Sequence, residues 1–132
     1  MKETHLRAIA SSLRYVEKHL VELRELLTKE APTYEMYDYV DDLGDEYRER
    51  TLATIEDILS EVRRSKQMLD FGPTEMSLRQ EAESVLSGVW VVIEGIRPKS
   101  LRGYGALSEA DERTVAEIYR RLLEAQNNRS GG

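Results

Sequence analysis

Pro32, Pro73 and Pro98 divide the chain into four stretches, and within each stretch apolar residues recur every three or four positions. A proline in a helix interior removes a backbone hydrogen bond and clashes with the preceding turn, so prolines that fall only between periodic segments mark helix boundaries. Leu6, Ile9, Leu13, Val16, Leu20, Leu23 and Leu27 alternate steps of three and four, which places all seven on one helical stripe and scatters them over both faces of a strand. Arg7, Arg14, Lys18, Glu22 and Glu25 supply the opposite, solvated face. A first helix over residues 3–29 follows.

The same period continues over residues 34–69 through Met36, Val40, Leu43, Tyr47, Thr51, Ile55, Ile58, Val62 and Leu69, predicting a second helix that is the longest of the set and has a kink point at Gly44. Its stop is expected at Phe71-Gly72-Pro73. A third helix over 74–96 takes Thr74 as its N-cap and buries Leu78, Ala82, Val85, Val89 and Ile96, with Leu86, Trp90 and Ile93 widening the stripe. Ser108-Glu-Ala-Asp111 resembles a capping box at the head of a fourth helix over 108–126, whose core stripe is Val115, Ile118, Leu122 and Ala125. Residues 127–132 carry no apolar anchor and are expected to form a flexible tail. Short connections favour antiparallel neighbours. The expected fold is therefore all-α: an up-down-up-down antiparallel four-helix bundle in one domain, residues 1–126.

Composition removes several classes of function. Without cysteine there is no disulfide and no thiolate metal site or nucleophile. The apolar run from Val85 to Ile96 is broken by Ser87, Gly88, Glu94 and Gly95 and is too short to span a bilayer. Met1-Lys2-Glu3-Thr4-His5 lacks the apolar core of a secretory signal, so a cytoplasmic protein is expected. The net charge of −6 disfavours nucleic acid as a partner.

That charge is concentrated. Between Glu35 and Glu49 seven acids stand against the single base Arg48, so this stretch alone accounts for the whole net charge. On a continuous helix Asp38, Asp41, Asp42, Asp45 and Glu49 share one face, either as a solvated surface or as a docking surface for a basic protein partner. The connection from Arg97 to Leu107 has the opposite character. Arg97, Lys99, Arg102 and Tyr104 precede the positive end of the fourth helix and are the candidate contacts for an anion. The plain alternative is a turn in which Gly103 and Gly105 supply conformational freedom. Glu94 is the lone charge in its apolar run and is expected to pair with Arg97, three positions on.

Two short motifs carry resemblances to families. Arg14 and His19 have the Arg-x4-His spacing that resembles helical ribonuclease-type toxins, while the position of His19 beside Leu20 equally suits a residue at the core boundary. Glu22-Leu23-Arg24-Glu25 and Glu35-Met36-Tyr37-Asp38 resemble the paired acidic motifs of all-α nucleotide pyrophosphohydrolases. That resemblance covers four positions and implies Mg or Mn held by Glu22, Glu25, Glu35 and Asp38 over a phosphate-bearing substrate. Neither histidine stands in the Glu-x-x-His arrangement of di-iron bundles.

Apolar excess decides between these readings. Val85, Leu86, Val89, Trp90, Val91, Val92 and Ile93 exceed what one face of an antiparallel bundle encloses. The expectation is a non-enzymatic interaction protein without a cofactor, a homo-oligomer joined through Val89, Trp90, Val92 and Ile93. The metal-dependent phosphate-handling enzyme is the alternative.

Overall fold

The computed structural model of the chain describes residues 1–72 and 74–130. Among them every regular element is helical: α1 (Glu3–Thr28), α2 (Asp45–Met68), α3 (Leu78–Glu94), the single turn α4 (Pro98–Leu101), a 3-10 turn (Arg102–Tyr104) and α5 (Glu109–Ser130). The α-helix count is five rather than the expected four, because Pro98 starts a short helix of its own. No helix of the described residues is long and apolar enough to cross a membrane.

The largest departure from the sequence reading is the start of α2. It begins at Asp45, not at residue 34, and Gly44 is its N-cap rather than a kink. With 24 residues it is shorter than α1, which has 26. The cause is local competition for backbone groups. Asp41 Oδ1 accepts the N–H of Leu43 at 3.3 Å, and the N–H of Asp42 donates to the Val40 carbonyl at 3.0 Å. Short polar side chains that satisfy the backbone in this way hold it out of the helix. Asp45 and Glu46 then occupy the first turn, where acids suit the positive pole. Met36 and Val40, expected on the core stripe, lie in the irregular segment and are exposed.

The end of α2 is set before Gly72. Asp70 adopts φ +56°, its N–H donates to the Gln67 carbonyl at 3.2 Å, and the N–H of Phe71 donates to the Lys66 carbonyl at 3.0 Å. These are the two crossed bonds of a Schellman stop, with aspartate in the left-handed position that glycine usually fills. Pro73, invoked as part of that stop, lies outside the described residues. The N-cap of α3 is Ser77, whose Oγ accepts the Gln80 N–H at 3.1 Å, three residues beyond the expected Thr74. Ser108 does cap α5, accepting the Asp111 N–H at 3.1 Å. That helix continues to Ser130, so Asn127 and Asn128 are helical rather than part of a tail. Gly131 and Gly132 lie outside the described residues.

The chain forms two compact units, Met1–Pro73 and Thr74–Gly132. In the first, α1 and α2 run antiparallel: Arg24 of α1 pairs with Glu56 at 2.8 Å, and Arg48, eight residues earlier on α2, reaches the Leu27 carbonyl at 2.6 Å. The seam encloses Ile55 and Leu59, 2% and 8% exposed. The buried face of α2 follows Leu52, Ile55, Leu59 and Val62, so Ile58, assigned to the core from its spacing, stands in solvent. On α1 the expected stripe is half-buried except for Leu23.

In the second unit α3 packs against α5. Leu86, Trp90 and Ile93 of α3 and Val115, Tyr119 and Leu123 of α5 are half-buried, and no residue of α3 is fully enclosed. The expected core stripes are thus corrected on both helices. Leu78, Ala82, Val85 and Val89 on α3 are exposed, as are Ile118, Leu122 and Ala125 on α5. A helix in a two-helix unit can turn only one side to its neighbour. Here that side carries the bulkier set, which buries more area per turn.

Candidate functional site

Three places hold the residues singled out from the sequence. The first is the uncovered apolar face of α3 and α5. At about 100° per residue, Leu78, Val85, Val89 and Val92 form one stripe, about a quarter turn from the set that faces α5. On α5, Ile118, Leu122 and Ala125 lie about a quarter turn, in the same rotational sense, from the set that faces α3. Glu94 at the C-terminal end of α3 meets Tyr119 midway along α5, and the connection then brings Arg102 back to Glu112 in the first turns of α5, a chain reversal that sets the two helices antiparallel. In such a pair two offsets of the same sense fall on the same side. The stripes therefore combine into one two-helix apolar face, with Val85 55%, Val92 71% and Leu78 87% exposed. Of the four self-association candidates, Val89 and Val92 lie on this face, whereas Trp90 and Ile93 turn toward α5.

A polar lock closes one end of the pair. The Tyr119 hydroxyl donates to Glu94 Oε1 at 2.6 Å, Arg97 Nη1 donates to Glu94 Oε2 at 3.3 Å, and Ser100 Oγ donates to the Glu94 carbonyl at 3.1 Å. The lone charge of the apolar run is thus paired with Arg97 as its spacing implied. The hydrogen bond to the Glu94 carboxylate, followed by partial desolvation, raises the Tyr119 phenol above its ordinary pKa.

The second place is the basic connection. Arg97 engages Glu94, and Arg102 donates from Nε and Nη2 to Glu112 Oε1 at 3.0 and 2.6 Å. Lys99 and Tyr104 are exposed, and Gly105 takes φ +134°, a conformation that an L side chain adopts only with strain. The positive end of α5 already carries Ser108, Glu109, Asp111 and Glu112. Two of the three cations proposed for an anion therefore hold carboxylates of this chain.

The third place is the segment between α1 and α2. The five acids expected on one helical face are divided: Asp38, Asp41 and Asp42 lie in irregular backbone and Asp45 and Glu49 on α2. Arg48 Nη2 holds both carboxylate oxygens of Asp41 at 2.6 Å, fastening the segment to the end of α1. Tyr34, Tyr37 and Tyr39 form an aromatic cluster, whose signal in the sequence is three tyrosines within six positions. Tyr34 and Tyr37 stack with centroids 4.7 Å apart, and Tyr39 meets Tyr37 edge-on at 5.6 Å. Desolvation, followed by the neighbouring phenols, raises the pKa of Tyr37. Between this segment and α1 lies a cleft of about 500 Å³ whose lining includes His19, Glu22, Glu25, Tyr34 and Tyr39. The His19 ring also contacts Tyr15, with centroids 4.1 Å apart. Of the four metal candidates only Glu22 and Glu25 line the cleft. Among the described residues no three His, Asp or Glu side chains form a group that holds a metal.

Set against protein-family models, curated proteins and solved structures, the chain matches none of them.

Proposed function

We propose that this chain is a non-enzymatic interaction protein that self-associates through the α3–α5 apolar face, two copies placing their helix pairs face to face as a four-helix bundle. The observation that carries the reading is the exposed stripe of Leu78, Val85, Val89 and Val92. Large contiguous apolar patches of this kind mark interaction sites on soluble domains.

Ile118 (46% exposed) and Leu122 (36% exposed) of α5 extend the same apolar face. A second copy is the favoured occupant because a face of two antiparallel helices is complementary to itself across a two-fold axis, which is the commonest oligomer symmetry.

Light scattering at high micromolar concentration tests the reading. A dimeric mass is expected for the wild type, and a monomeric mass for Val85→Glu/Val89→Glu with unchanged helical circular dichroism, because both positions are exposed within the unit. A monomeric wild type overturns it.

A further inference from the structure

The cleft of the first unit has the chemistry of a cation site, independently of how the chain associates. The last turn of α1 contains no basic residue, so the partial negative charge of its terminal carbonyls is unmatched from within the helix. The chain answers part of this with a guanidinium. Arg48 Nη1 donates to the Leu27 carbonyl at 2.6 Å, and its Nη2 donates to Asp41. At the same helix end lies the 500 Å³ cleft, a volume within the range of small-ligand sites, about 300–1,000 Å³. Its one cation, Lys29, is paired with Glu25 at 3.6 Å. Glu22 and Glu30 also line it, and neither has an ion pair or side-chain hydrogen bond among the described residues. Tyr34 and Tyr39 form an aromatic wall, their ring centroids 6.5 Å apart in an edge-on arrangement, and Leu23 and Leu26 supply an apolar floor.

Two bare carboxylates repel an anion, and aromatic faces attract an organic cation more than a hydrated metal ion. Glu22 and Glu30 stand eight positions apart along the chain, and Leu23 and Leu26, which line the same cleft, suit a methylene stem. We propose that this cleft binds a small organic dication with an aliphatic stem, of the diamine or guanidino-amine class, with Glu22 and Glu30 as counter-charges and Tyr34 and Tyr39 against the stem and one cationic head.

The test is titration of the full-length chain with agmatine, followed by backbone amide NMR and matched in ionic strength with sodium chloride. Saturable shifts confined to the end of α1 and residues 29–44 are expected. Glu22→Gln/Glu30→Gln should weaken binding about tenfold or more, the scale of losing two partly exposed charge contacts. Both positions are exposed and unpaired, so the variant keeps the fold, and its unshifted amide spectrum checks this. Acetyl-arginine amide carries only one cation and separates a free dication from an arginine borne on a partner chain. Agmatine should bind several-fold tighter. No saturable shift at millimolar agmatine, equal binding by the double variant, or equal affinity for the monocation each overturns the proposal.

Discussion

Glu117 shows what single side chains contribute on this open surface. Its carboxylate accepts from Arg120 Nη2 at 2.7 Å and from Arg121 Nε at 2.8 Å, and these hydrogen bonds, led by Arg120, bring its pKa from 4.5 down to about 2. A carboxyl whose folded pKa is depressed adds stability that is complete above its ordinary pKa and disappears as pH falls through the folded one. The contribution is therefore lost between pH 4.5 and about 2, and because Glu117 is half-exposed, salt screens much of it. Thermal melts followed by circular dichroism should decline over that window in the wild type and decline less in Glu117→Gln. Parallel curves would show that the ion pairs add nothing. Such pairs are legible in a sequence when partners stand three or four apart on one helix, as Arg97 does from Glu94. The bond from Tyr119 to Glu94 spans 25 positions and depends on helix packing, which spacing alone does not specify.

At the scale of elements, termini were legible where one side chain decides and illegible where two signals compete. Ser108 caps α5 as its motif implied. Thr74 and Ser77 both suit an N-cap, and Ser77 takes the role. The start of α2 departs from the apolar period, which runs on through Met36, Val40 and Leu43, because Asp41 captures the Leu43 N–H and Arg48 captures Asp41. A hydrophobic period records which residues would share a face if a helix formed, and local hydrogen bonds decide whether it forms. The stop of α2 provides a clean check. Asp70 holds φ +56°, a region that costs an ordinary L residue roughly 1–2 kcal/mol and aspartate somewhat less. Asp70→Gly should therefore raise the unfolding free energy by about 0.5–1 kcal/mol in urea melts. A loss of stability instead would place the helix end elsewhere.

For the whole molecule, the sequence disclosed how much apolar surface there is but not which side of each helix is turned inward. The all-helical class follows from the period alone. Leu78, Val85 and Val89 look like core because their spacing is regular, and Leu86, Trp90 and Ile93 look like an extension of it, yet the burial is the reverse. The rotation of a helix about its axis is set by the neighbour against which it packs, and several apolar sides satisfy the same period. This leaves a thermodynamic consequence that does not depend on mutagenesis. If the uncovered face is closed by a second copy, folding and association are linked, and mass action favours the associated native state as concentration rises. The melting temperature should then increase steadily across a hundredfold range of protein concentration, by several degrees in a chain of this size. Val85→Glu/Val89→Glu should melt at one temperature throughout that range. A wild-type melting temperature equally indifferent to concentration would mean that the face stays uncovered by other copies, and self-association would have to be abandoned.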